Sequence, residues 1–368
     1  MLKHLEQSLL TNAKFEYENA DLKRLLTDII LLIHTNPELE FSQIKSFLRK
    51  YYGGEPPVPD NRTHPINVLL NYQQKFNTNV HKVESLIRDF SGNEQNILTE
   101  LTALGEIHQY YNVKEKLLFP LLERYGQYQL PRRMWEADDY LRVALRAMIK
   151  RVKKHETIEA RHILSTFREI KSVFDHLKDA ERYVLFPLCL ELFSEKDWVQ
   201  VAKESAAFQF DMSEFYTEYS VSKDREELVD DTTQHHFGGG VLTFKEVNLI
   251  LNHLPLELTF IDAQGIFKYF NNITEASEMI FVRTPLSVGR HVANCHPPES
   301  LSRMMKVMRS LKSKEEEKVT MWFKKGKEFV HVTYIGVFDE NDNFAGVLEY
   351  VQDIQPFFEL PRMTKKFM

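Results

Sequence analysis

The apolar residues of this chain change their period partway along it, and that change constrains the fold more than any other feature of the sequence. Up to about residue 205 they recur at helical spacing, as in Leu22, Leu25, Leu26, Ile29, Ile30 and Ile33, or Ile66, Leu69, Leu70, Phe76, Val80, Val83 and Ile87. Such stripes mark amphipathic helices. They predict helices over 22–33, 41–52, 65–90, 94–125, 132–155, 157–193 and 195–206, with GGEPPVPDN at 53–61 as a breaker. From 241 a short helical segment, LTFKEVNLILNHLP, gives way to alternating runs: LELTFIDAQGIFKYFNN, KVTMWFKK, EFVHVTYIGVFD and FAGVLEYVQDI. Alternation of this kind marks half-buried strands. Residues 273–286 and 299–312 read as helices between the second and third strands. The fold class is therefore multidomain: an all-α helical bundle followed by an α+β domain with an antiparallel sheet.

A chain of 368 residues exceeds one ordinary core. Its 43% hydrophobic and 27% charged residues fit globular domains rather than disorder. A net charge of −6 gives no footprint for nucleic acid. The two cysteines, Cys189 and Cys295, fall in different domains, which argues against a disulfide framework and for a reducing compartment. The segment MLKHLEQSLL lacks the marks of a signal peptide, and no apolar run is long enough to span a membrane. A cytoplasmic location is the expectation. The domains expected are an N-terminal helical segment (1–56), the bundle (57–215), a polar linker (216–240) containing His235 and His236, the α+β domain (241–356) and a tail (357–368). No phosphate loop, nucleophile elbow, kinase signature or zinc-protease motif occurs, so catalysis is not expected.

One internal similarity stands out. KEKLLFPLLE at 114–123 is echoed by AERYVLFPLCLE at 180–191. Each ends a long helix with Phe-Pro, compatible with a kink or a change of helical segment. Two copies on alternate helices suggest pseudo-twofold symmetry.

LPLELTFIDAQGIFKYFN resembles the opening hairpin of a PAS domain, and GVLEYVQDIQPF resembles its last strand. The string VGRHVANCHPPES, with LLFPLLERYG, PRRMWEADDYLR and LFPLCLELFSEKDW, resembles a bacterial family. That family joins a hemerythrin-like, cation-binding helical region of the HHE type to a C-terminal PAS domain, and its function is poorly defined. The resemblance covers roughly residues 60–355.

Hemerythrin-type sites hold two irons through inward His and carboxylate side chains. Carried over position by position, the expected ligands fall on Asn67, Tyr110, Lys114, Asp138 and Leu177, with only Glu181 matching. The resemblance thus implies a bundle that keeps its shape without the diiron centre. A shifted, non-standard metal site would draw on His64, His108, Glu115, His176 and Glu181; these histidines serve equally well as ordinary polar helix residues.

For the PAS half, the resemblance implies a small cavity between sheet and helices. Expected walls include Leu258, Phe260, Trp322, Val332, Tyr334 and Leu348, with Met304 and Met308 from the covering helix. His296, Cys295 and His291 are the candidate cofactor-binding residues, because imidazole or thiolate can ligate haem. Pro297 and Pro298 fit a helix entry equally well. Three readings stay open. The first is a sensor or adaptor whose PAS domain binds a small molecule or haem and signals to the bundle or to a protein partner. The second is an iron- or oxygen-handling protein. The third is a haem carrier or store. A homodimer through the helix at 243–253, using Leu249, Ile250 and Leu254, is compatible with all three.

Overall fold

The computed structural model describes residues 5, 9, 22–36, 39–90, 92–154, 160–219, 233–296 and 298–360. The chain divides into two compact units, 1–221 and 222–368. Most of the predicted linker, residues 220–232, lies outside the described residues, as does the tail from 361.

The first unit is helical. Helices α1 (Leu22–Thr35) and α2 (Phe41–Tyr51) each bury one apolar stripe. Helix α3 (Pro65–Arg88) starts at His64, whose Nδ1 accepts the Ile66 N–H at 3.2 Å, with Pro65 at the first helical position. Then come α4 (Glu94–Gly105), α5 (Ile107–Val113), α6 (Phe119–Arg124), α7 (Gln129–Val152) and α8 (Ala160–Ala180). Helices α3, α4, α7 and α8 pack pairwise in a closed ring, a four-helix bundle. The unit ends with α9 (Phe186–Leu192), α10 (Glu195–Ser205) and α11 (Ser213–Tyr219).

The two Phe-Pro repeats mark a change of helical segment without ending the helix. Each helix widens into one π-helical turn, Lys114–Leu118 and Glu181–Leu185, and then continues as α6 or α9. The Phe119 N–H bonds to the Lys114 carbonyl and the Phe186 N–H to that of Glu181, each five residues back. Pro120 and Pro187 offer no N–H and would clash with the carbonyl four residues earlier, so a wider turn relieves both problems.

In the second unit, β1 (Gln234–Phe237) and β2 (Gly240–Thr243) form a hairpin across Gly238-Gly239. This corrects the expectation that residues up to 240 are linker: Gly238, at φ 55°, supplies the left-handed turn. Helix α12 (Phe244–His253) begins with a capping box between Thr243 and Glu246. Strands β3 (Glu257–Asp262), β4 (Phe267–Phe270), β5 (Lys318–Lys325), β6 (Glu328–Phe338) and β7 (Phe344–Asp353) form an antiparallel sheet in the order β4-β3-β7-β6-β5. Helix α13 (Pro298–Lys312) packs on β5, β6 and β7, and α14 (Gln355–Phe358) follows the last strand. Gly346 lets β7 approach β3 closely, since a Cβ there would stand 2.1 Å from the Ile261 carbonyl oxygen.

The helix expected over 273–286 is absent. That segment holds two short 3-10 turns, Ala276–Glu278 and Pro285–Ser287. Pro285 restricts Thr284, and the N–H groups of Ile280 and Phe281 are taken by the Glu257 carboxylate rather than by a preceding turn.

Candidate functional site

Each unit buries a cluster of charges. In the bundle the centre is Lys114, the first residue of the π turn, with its side chain wholly buried. Its Nζ donates to Asp138 Oδ1 of α7 at 2.7 Å and to Glu181 Oε1 on the opposite repeat copy. It also lies 4.6 Å from the ring centroid of Tyr111. The other oxygen of Glu181 accepts from Tyr110 OH at 2.5 Å and from Gln73 Nε2 at 2.6 Å. Beside this group Arg142 pairs with Glu115 at 2.8 Å and with Asp139 at 2.7 Å.

Burial alone would push the Lys114 ammonium down, but Asp138 and Glu181 outweigh it and hold the ammonium above its usual range. Burial raises the Asp138 carboxyl well above its ordinary value; Lys114 opposes this, while Glu115 and Glu181 reinforce it. Asp138 Oδ2 and the Tyr111 hydroxyl are buried and make no hydrogen bond within the protein. Two small cavities flank Tyr111, each of about 10 Å³, room for a single water. The one bounded by Gln73, Tyr110 and Glu181 is separated by Gln73 and Lys178 from an open surface groove of about 470 Å³.

The carried-over positions Tyr110, Lys114, Asp138 and Glu181 do converge, and Leu177 fills space beside them. Asn67 does not join them: its amide bonds to the carbonyls of Pro59 and Asn61 in the preceding loop. Gln73, which the carry-over missed, occupies the place on α3. Of the shifted-site candidates, Glu115 and Glu181 are buried in the cluster and the three histidines lie apart. His108 is exposed, with Nδ1 2.8 Å from the Gly105 carbonyl. The helix is interrupted at Glu106 and widened from Lys114, so seven residues no longer make two turns and His108 parts from Glu115. His176 is exposed because Leu177 takes the inward position four residues before Glu181. His64 is the cap of α3, buried between the rings of Trp198 and Phe215, and lies nine residues, about 14 Å of helix, before Gln73. Burial lowers its pKa to about 4, so it stays neutral. Among the described residues no group of three or more His, Cys, Asp and Glu is placed to hold a metal.

In the second unit the centre is Arg283. Its Nη1 donates to Glu257 Oε2 at 3.0 Å and its Nη2 to Glu349 Oε1. Glu257 also accepts the Ile280 and Phe281 N–H groups. Glu349 stands directly opposite Thr259 across the β3–β7 ladder and opposite Tyr334 across the β6–β7 ladder. Burial raises the Glu349 carboxyl, against the lowering by Arg283. Burial, with Glu349, raises the Tyr334 phenol, again opposed by Arg283. The hydroxyls of Thr259 and Thr284 are buried and make no hydrogen bond within the protein.

The sheet register corrects the expected cavity walls. Val332 and Tyr334 share the inner face with Glu257 and Glu349, whereas Leu258, Phe260, Leu348 and Trp322 point to the other face. Trp322 is 64% exposed there. His291, Cys295 and His296 lie in a segment that runs along the free edge of β4, fixed by backbone bonds Phe267 to Arg290 and Val292 to Gly265. His291 Nδ1 accepts the Ala293 N–H at 3.1 Å, and His296 Nδ1 lies 2.9 Å from the Val292 carbonyl. Cys295, Met304 and Met308 are half-buried. The two imidazoles therefore serve local turns at the sheet edge, away from the charged centre of the inner face.

Residues 64–189 match the family model of the hemerythrin HHE cation binding domain, and residues 247–355 match that of a PAS domain. The two matches give the chain the expected architecture, a hemerythrin-like helical domain followed by a PAS domain. It thus pairs a domain of cation-binding type with one of sensory type. No curated protein matches it. Among solved structures it is similar to the C-terminal domain of a Streptococcus mutans protein: 52% identity over 36% of this chain and 100% of that one, TM-score 0.35. It is also similar to the PAS domain of a Colwellia psychrerythraea protein (16% identity, 30% and 97% of the two chains, TM-score 0.24). A sensory box sensor histidine kinase from Vibrio cholerae matches at 15% identity over 30% and 90%, TM-score 0.23.

The hemerythrin-type domain implies a diiron centre, and the residues present do not fit one. Where a metal would sit between helices there is an ammonium, with two carboxylates, a phenol and an amide around it and no imidazole. No described helix is long and apolar enough to cross a membrane.

Proposed function

We propose that the chain is a cytoplasmic sensor or adaptor whose PAS domain binds a small polar molecule, with the helical domain as a scaffold or transmitter toward a protein partner. The observation that carries this reading is the inner face of the PAS sheet. A guanidinium shared by two buried carboxylates lies beside two buried hydroxyls, Thr259 and Thr284, that find no partner in the protein. Buried polar groups are ordinarily satisfied, and an unsatisfied pair beside a fixed charge cluster suits a ligand carrying donors and acceptors of its own. Haem through His291 is less well supported, since its Nδ1 accepts the Ala293 N–H and the neutral ring then carries its proton on Nε2; His296, whose Nδ1 faces the Val292 carbonyl, is the haem alternative that the absorption spectrum tests. The iron- or oxygen-handling reading is disfavoured by Lys114 in the metal's place. Exposed Phe244, Leu249 and Ile250 on α12 favour a homodimer, which the molar mass from sedimentation in analytical ultracentrifugation reads directly.

Native mass spectrometry and an absorption spectrum of the full-length protein as purified test the ligand. A bound small mass in the wild type that is lost in Thr259→Val supports the reading. A Soret band on haem addition that depends on His296, with no other bound mass, overturns it in favour of haem.

A further inference from the structure

We propose that the ammonium of Lys114 is a built-in cation standing in for a metal in the helical domain, so that the domain cross-links its helices with its own charge and takes up no iron. Three observations carry this. The first is connectivity. Lys114 lies at the end of α5, Asp138 lies on α7, and Glu181 opens the π turn after α8. One Nζ therefore ties three helices together, as a metal bridging inward ligands would.

The second is charge pairing. Three carboxylates point into this part of the core, Asp138, Glu181 and Glu115, and two side-chain cations meet them: Lys114 for the first two and Arg142 for the third. The remaining valences of Glu181 go to Tyr110 and Gln73, so the arrangement is hydrogen-bonded as well as paired. A buried carboxylate pair without a cation would be costly, which gives the ammonium a structural task.

The third is access. The surface groove lined by Lys45, Asn71 and Arg182 ends on Gln73 and Lys178, which also wall the small cavity beside Glu181. Gln73 and Lys178 form the wall between the seat and that groove. The seat thus lies one wall of side chains from the surface, and the Lys114 ammonium is the cation that occupies it.

The test uses full-length wild type and Lys114→Ala, Mn²⁺ as the probe, electron paramagnetic resonance for binding and thermal unfolding for stability. The wild type binds no Mn²⁺, and its helical-domain Tm is the same in EDTA and in Mn²⁺. Lys114→Ala in EDTA loses about 10 °C of Tm, the size expected for a broken buried ion pair. It then binds Mn²⁺ and regains Tm. Stoichiometric Mn²⁺ on the wild type with a rise in Tm overturns the proposal. So does a Lys114→Ala protein that keeps the wild-type Tm in EDTA, or one that unfolds early and binds no Mn²⁺. Should Lys114→Ala fail to fold, the wild-type titration decides: no binding supports the proposal and binding overturns it.

Discussion

Both units bury one basic side chain between two carboxylates, and the two clusters are built for different ends. In the bundle a compact ammonium is enclosed by Asp138, Glu181, Tyr110 and Gln73, and its partners come from different helices. In the PAS domain a planar guanidinium forks between Glu257 and Glu349. There Glu257 is held by two backbone N–H groups as well, so it keeps partners without the arginine. The contrast teaches that a buried ion pair can be a strut or a platform. The strut fails if its cation is removed. The platform keeps part of its satisfaction and leaves two hydroxyls free to meet something else.

The sharpest way to break this comparison is to remove the cation from each. Lys114→Met should destabilise the helical domain by about 3–5 kcal/mol, because two buried carboxylates lose the ammonium paired with them. Arg283→Met should cost the PAS domain less, since Glu257 retains its backbone donors. Denaturant unfolding followed by domain-specific probes reads both; an equal loss would erase the distinction between strut and platform.

Acid and alkali then separate the units. His64 has a pKa lowered to about 4, so it is neutral when folded. Its contribution is present above the unfolded value near 6.5 and is lost as pH falls from there to about 4, a cost of at most about 3 kcal/mol. Asp138 works the other way. Its raised pKa gives stability that is whole below the ordinary carboxylate range and is lost as pH rises through its folded value. The two effects oppose each other between the carboxylate and imidazole ranges, so Asp138→Asn should leave the bundle's stability rising with pH there. Glu349 gives the PAS domain the same fall in stability with rising pH, with no described counterpart of His64 to oppose it. Unfolding midpoints measured across the pH range check the signs.

The smallest expected effect is on the platform's hydroxyls. Thr259→Val should stabilise the ligand-free PAS domain by about 1 kcal/mol, because it removes an unpaired buried hydroxyl while keeping the shape. The same change should weaken ligand binding. A loss of stability would show that Thr259 serves the fold instead.

Much of this architecture was legible in the sequence, and what was missed has physical causes. The switch of period placed both domains, and the Phe-Pro repeat marked the two helix segments that carry Lys114 and Glu181. The π turns were not legible, because a proline signals that the helical ladder is interrupted without saying how. Gln73 had a usable signal: it sits on the stripe Ile66, Leu69, Phe76, Val80 at a position where an apolar residue belongs. Counting from His64-Pro65 led instead to Asn67, in the first turn of α3, where the side chain serves the preceding loop. Glu257 and Glu349 had the matching signal in strands, charges on the buried parity of LELTFID and GVLEYV. His291 and His296 drew attention by chemistry, but Nδ1 of each ring is used by a neighbouring backbone group in a local turn, which composition does not reveal.

The central claim is that the helical domain carries its own cation while the chemistry belongs to the PAS domain. Iron analysis of the full-length protein, purified without chelator from iron-replete cells, tests this most directly. The account predicts far less than one iron per chain and a helical domain that unfolds identically after chelation. One or two irons per chain, lost on chelation together with helical-domain stability, would contradict it.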